Sequence, residues 1–287
     1  MVERPASPPG AMSAGPATTV RDILERARAH ARAQEWEPAG QLCRALIALR
    51  PAHVGARRLL AGVLRGRGLS AEAAAELTLA LAVVPGDADL QRDLGVTLLA
   101  LGRSDEAVTA FGRTLERLPE DRVALAAIGR TLHDLGRHDE AAAALQRLVA
   151  LVPDDPVALT DLGNALQEAG RFDAAIAAFS AASARHPAIA EVHFDLGNAL
   201  MAAGRGAEAA LSFDRALALA PQRQSWRLHR GQVRLGLGRL EEGWDDLEAH
   251  WRTVRPPAPL VPEWDGGAVD GRLLIWSDQA LGVELLA

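Results

Sequence analysis

At 287 residues, 49% of them hydrophobic, the chain has enough apolar mass for a sizeable core. Its formal net charge of −6 at pH 7 lacks the basic face that a nucleic-acid partner requires. All 31 basic residues are arginine, and the absence of lysine excludes Schiff-base chemistry, a phosphate-loop lysine and a lysine general base. Residues 1–19 carry Pro5, Pro8, Pro9 and Pro16 among small residues and read as a disordered leader. They contain no hydrophobic core of a secretory signal, so a cytoplasmic location is the default. No apolar run approaches the roughly 20 residues of a membrane span. The single cysteine, Cys43, excludes an intramolecular disulfide and falls on an apolar helix face, where it reads as an inert core residue.

From residue 20 onward the chain repeats. Proline recurs every 34 residues, at Pro51, Pro85, Pro119, Pro153, Pro187 and Pro221. One glycine column keeps step at Gly95, Gly129, Gly163, Gly197 and Gly231, and a second at Gly68, Gly102, Gly136, Gly170, Gly204 and Gly238. A fixed period of this length marks stacked helix–turn–helix units. The units are 20–53, 54–87, 88–121, 122–155, 156–189, 190–223 and 224–257. In unit 156–189, Leu159, Leu162 and Leu166 share one face of a first helix, which Gly170 ends. Asp173 sits at the start of a second helix, Ala175, Phe179 and Ala182 form its apolar stripe, and Pro187 stops it. Ala73, Ala107, Ala141, Ala175 and Ala209 repeat as small contact residues, facing a large column of Leu77, Phe111, Leu145, Phe179 and Phe213. Asp105, Glu106, Asp139 and Glu140 repeat an acidic helix start. The end units depart from the pattern. Ala27 and Gln34 stand where glycines belong, Gly243 stands where alanine belongs, and Arg255 replaces the proline.

These columns resemble the tetratricopeptide repeat (TPR) family: Leu94-Gly95, Ala107, Phe111, Pro119 and their equivalents carry the likeness over about four-fifths of the chain. The resemblance implies an all-α, right-handed superhelical solenoid of about seven repeats over 20–257, with the first helices on its concave wall. It places Arg58, Arg65, Arg92, Arg130, His133, Asp161, Asn164, Gln167, Asp195 and Asn198 on that wall. There Asn164 and Asn198 offer a ladder of amides for a peptide backbone, unless they are simply solvated polar residues. Arg58, Arg92 and Arg130 are candidates to draw in an acidic segment, or are ordinary surface arginines. Without lysine, the Lys–Asn–Arg clamp by which some members hold a C-terminal carboxylate cannot form. No histidine pair has metal-ligand spacing with a third ligand beside it. His133 and His138, with Gly136 between them, are expected on different faces.

The last thirty residues change character. Trp226, Trp244, Trp251, Trp264 and Trp276 crowd the C-terminal part, and Pro256-Pro257-Ala258-Pro259 reads as a linker. Leu273 to Trp276 reads as one short buried strand and the tail from Gly282 as a beginning helix. Gly243-Trp244, Trp264-Asp265-Gly266 and Asp278-Gln279-Ala280-Leu281-Gly282-Val283 resemble the junction of bacterial TPR–glycosyltransferases. Ala280 and Val283 replace a glycine and an aspartate of that pattern. Residues 258–287 are therefore a linker and a truncated glycosyltransferase-like start. One strand and part of a helix cannot build a sugar-nucleotide site. With the chain ending at Ala287, a non-enzymatic protein without cofactor or metal is expected. Leu273, Ile275, Trp276, Leu285 and Leu286 would then cap the last repeat.

Three functions stay open. One is a scaffold binding an extended peptide or protein in the groove. Another is a relative of TPR–glycosyltransferases that keeps the substrate-recognition arm. The third is an oligomerisation module. A protein or peptide, a separate glycosyltransferase subunit and a second copy of the chain are the candidate partners; nucleic acid and membrane are not.

Overall fold

The computed structural model describes residues 19–254, 272–275 and 283–286, with side chains described over 19–250. Fourteen α-helices run through these residues as seven antiparallel pairs. The pairs are α1 (Val20–Arg32) with α2 (Trp36–Leu49), α3 (Val54–Gly66) with α4 (Ser70–Val83), and α5 (Ala88–Ala100) with α6 (Ser104–Arg117). Then follow α7 (Arg122–Asp134) with α8 (His138–Leu151), α9 (Pro156–Glu168) with α10 (Phe172–Arg185), and α11 (Ala190–Ala202) with α12 (Gly206–Leu219). The seventh pair is α13 (Gln224–Gly236) with α14 (Leu240–Val254). The chain divides into two compact units, 1–221 and 222–287. The seventh pair lies in the second of these units.

Within the first unit each helix packs on its own partner and then on the next pair. The helices begin where they do because the chain supplies caps. Asp87, Asp121 and Asp155 accept hydrogen bonds from the N–H of Leu90, Ala124 and Val157. Thr19 and Asp22 form a capping box at the start of α1. The second helices α6, α8 and α12 lack side-chain caps. Their first turns are instead held by forks: Arg103, Arg137 and Arg205 each donate from Nε and Nη2 to both carboxylate oxygens of Glu106, Glu140 and Glu208. These hydrogen bonds hold the three glutamates below the usual carboxylate range.

Inside each pair the core is one interlock. Phe111, Phe179, Phe213, Leu77 and Leu145 are all fully buried, each contributing about 2–3 kcal/mol of burial. The aromatic rings lie directly against a first-helix glycine: a methyl group at Gly163 would sit 2.6 Å from Phe179 Cε1, and one at Gly197 2.6 Å from Phe213 Cε1. Where the glycine column fails, the facing residue is smaller than phenylalanine. Ala61 belongs to the same buried cluster as Leu77, and Ala27 to that of Cys43. Burial raises the Cys43 thiol to about 11, which keeps it protonated and unreactive at neutral pH.

In the second unit Arg230 grips the buried Asp246 through Nε at 2.7 Å and Nη2 at 2.5 Å, and Arg234 adds a contact at 3.0 Å. Trp226 is buried with the Arg223 guanidinium 5.5 Å from its ring centroid. Trp244 is 54% exposed, because its neighbour Gly243 faces α13 instead. The side chains of Trp251, Trp264 and Trp276, and the expected cap of Leu273, Ile275, Leu285 and Leu286, lie outside the described residues. So do the leader over 1–18 and the proline-rich linker.

The tail corrects one expectation. Strand β1 (Arg272–Ile275) falls where a strand is expected, but Val283–Leu286 is strand β2, not a helix. The two pair antiparallel, Arg272 opposite Leu286 and Ile275 opposite Val283. Val283 in place of the expected aspartate, followed by Leu285 and Leu286, suits a strand. A hairpin of this kind is not the parallel-strand start of a nucleotide-binding domain, so the likeness to a glycosyltransferase junction finds no support in it.

The six glycines that end first helices have φ of +71 to +77°, and Gln34, at the same place in the first pair, has φ +59°. A side chain in this left-handed region is strained by about 1 kcal/mol. Gln34→Gly is therefore expected to stabilise the first unit by roughly 0.5 kcal/mol at most after the extra freedom of the unfolded glycine is subtracted. A urea titration checks this, and a lowered midpoint would contradict it.

Candidate functional site

The first helices α7, α9 and α11 approach one another directly as well as through their partners. Residues at one repeat position therefore line up on a shared face. The sequence-derived candidates occupy it in two different states.

Toward the N-terminal end the face is an ion-pair chain. Arg58 donates to Asp93 Oδ2 at 2.6 Å and reaches Asp89 at 3.4 Å. Arg92 donates to Asp89 Oδ1 at 2.6 Å and also pairs with Asp121, the cap of α7. Arg130 donates to Asp161 Oδ2 at 2.5 Å. Arg58, Arg92 and Arg130 each reach forward to an aspartate on, or capping, the next first helix. All three are thus paired with internal carboxylates. Their partners Asp89, Asp93 and Asp121 were not singled out by sequence reasoning. The cap column Asp87, Asp121 and Asp155, at the same 34-residue period, is the signal that could have found one of them.

Further along, the face carries amides and a carboxylate. Asn164 and Gln167 on α9, and Asp195 and Asn198 on α11, are all half-buried. Asn198 Oδ1 is enclosed and accepts no hydrogen bond, an arrangement that loses free energy until a donor arrives. Asp195 is pushed up to about 6, first by burial and then by the nearby Glu191 carboxylate.

His133 and His138 require a correction. Their rings meet edge to face with centroids 5.2 Å apart. The turn at Gly136 folds α8 back along α7, which returns His138 to the last turn that carries His133. Among the described residues no three His, Cys, Asp or Glu side chains converge as metal ligands.

Residues 92–156 and 160–224 match the family model described as tetratricopeptide repeat, and the helix pairs have the tetratricopeptide-repeat fold. MamA from Desulfovibrio magneticus RS-1 is 24% identical with a TM-score of 0.55, over 59% of this chain and 96% of that one. YrrB, a TPR protein with an unusual peptide-binding site, is 21% identical with a TM-score of 0.59, over 69% of this chain and 98% of that one. The C-terminal part of a TPR protein from Cytophaga hutchinsonii is 13% identical with a TM-score of 0.67, over 80% and 93%. At these identities the likeness establishes the fold. No protein of curated function matches the chain in sequence.

The raised Asp195 gives a pH signature. Folded, it titrates near 6; an unfolded aspartate titrates near 3.8. Between these values the unfolded chain holds fewer protons, so stability falls as pH rises from about 4 to about 6 and is level above. Asp195→Asn should remove this slope, raising stability at pH 7 by roughly 1–2 kcal/mol and leaving it near wild type at pH 4. Urea midpoints across this range test it; parallel pH profiles for the two proteins would contradict it.

Proposed function

We propose that these tetratricopeptide repeats form a non-catalytic scaffold that holds an extended peptide against the first-helix face of α9 and α11. The observation that carries the proposal is the amide pair Asn164 and Asn198, one repeat apart, with Asn198 Oδ1 enclosed and unpartnered. An amide offers both a donor and an acceptor, so two at one repeat spacing can bond a peptide backbone without reading its sequence. YrrB, which shares the fold, has a peptide-binding site; an equivalent role for this chain is part of the proposal. His133, Asp161, Gln167 and Asp195 flank the amides, and their part is to orient the bound chain.

The tetratricopeptide fold favours the scaffold over an enzyme, since such repeats are typically interaction modules. A cytoplasmic location belongs to the same proposal. No helix among the described residues is long and apolar enough to cross a membrane.

Replacing both amides tests it. Each hydrogen bond lost to a buried partner weakens binding by about 1 kcal/mol, so Asn164→Ala with Asn198→Ala should reduce peptide capture by roughly 10- to 100-fold. The check is capture from a cell lysate by wild type and double variant in parallel, followed by direct affinity measurement on the peptide recovered. Equal affinity for both proteins would remove the groove assignment.

A further inference from the structure

A cavity of about 150 Å³ opens in the third repeat, away from the amide face, where the turn before α5 meets the end of α6. Pro85, Gly86, Gln91, Arg113, Glu116 and Arg117 line it. Gln91 is 5% exposed, and its Oε1 is enclosed without a hydrogen-bond partner. Rotation of the carboxamide exchanges its oxygen and nitrogen, so it can equally present its NH₂ to the cavity. Arg113 and Arg117 stand one helical turn apart and exposed, and among the described residues neither makes an ion pair or a side-chain hydrogen bond. Glu116 is the opposing charge, so two cations face one carboxylate.

The other repeats show what normally fills this place. At the position of Gln91, Leu125 and Leu159 are buried leucines, while Arg57 and His193 bond the carbonyls of Pro51 and Pro187. Arg147, at the position of Arg113, donates to the carbonyl of Pro119 at 2.7 Å. Arg185, at the position of Arg117, donates to Asp154 Oδ1 at 2.9 Å. Asp154 stands at the position that Gly86 holds in the third repeat. The third repeat therefore keeps the arginine and lacks the acid. A Cβ on Gly86 would lie 3.6 Å from Arg117 Nη2, so the cavity begins where that aspartate side chain would start.

We propose that this cavity binds a carboxylate supplied by another molecule, held by the Arg117 and Arg113 guanidiniums and the Gln91 carboxamide. Guanidinium matches carboxylate in planar geometry, and a charge-assisted bond is stronger than a neutral one. The buried carboxamide completes its hydrogen bonding only when the guest is present. This site stands independently of the amide face.

The test follows the arginine side-chain N–H signals of the isotope-labelled full chain by NMR, at constant ionic strength, during titration with sodium acetate. Saturating shifts are expected at Arg113 and Arg117. Gly86→Asp should abolish them, because its own carboxylate takes the guest's place. Gln91→Leu should weaken binding roughly tenfold through loss of the carboxamide contact. Both variants are compatible with the fold: leucine is native at the equivalent positions 125 and 159, and Gly86 does not have a left-handed φ. Unchanged backbone amide spectra verify this. N-acetylaspartate amide and N-acetylglycine then separate a side-chain from a terminal carboxylate, saturation by either supporting the proposal. Shifts that never saturate, that are equal in Gly86→Asp and wild type, or that are unaffected by Gln91→Leu would overturn it. So would tighter binding of inorganic phosphate than of acetate.

Discussion

The array depends on one steric pairing: a first-helix glycine against a large second-helix side chain. Phe179 and Phe213 are fully buried because Gly163 and Gly197 leave no Cβ in their path. The helix axes can then come close, and each pair presents the same faces to its neighbours. Burial at this contact is the main favourable term within a pair. Nearest-neighbour packing carries the order from one pair to the next. Everything on the first-helix face is positioned by this contact, since a shift of one helix against its partner would move Asn164 relative to Asn198.

Electrostatics adds a second layer with a direction. Arg58, Arg92 and Arg130 each bond an aspartate on, or capping, the next first helix. Such half-exposed pairs contribute modestly, within about 1 kcal/mol each, so they refine the stacking and do not drive it. Their larger consequence is for binding. On the first-helix face these three arginines are paired internally, whereas Asp195 lies near another carboxylate and Asn198 Oδ1 accepts no hydrogen bond. The same first-helix face therefore carries ion pairs in one part of the unit and an unpartnered amide oxygen in another.

Much of this was legible in the sequence. The proline and glycine columns mark the helix ends from α2 to α13, and the large column of Leu77, Phe111, Leu145, Phe179 and Phe213 names the deepest core. Other features were not, for identifiable reasons. His133 and His138 meet because a turn reverses the chain, which linear spacing around Gly136 conceals. The arginine–aspartate chain joins residues 29 to 35 positions apart on different helices, so no local window contains it. Val283–Leu286 is too short for periodicity to separate strand from helix. The cavity beside Gln91 was hidden because Gly86 reads as an unremarkable turn residue until Asp154 is placed opposite Arg185.

A double-mutant cycle between Gly163→Ala and Phe179→Leu measures the interlock itself. With Phe179 intact, Gly163→Ala should destabilise the protein by about 1–3 kcal/mol through overpacking. In the Phe179→Leu background the same change should cost less, as in the native combination of Ala61 and Leu77, giving a coupling of roughly 1–2 kcal/mol. Additive effects of the two substitutions, with no coupling in urea unfolding, would show that the glycine column does not set the approach of the helices.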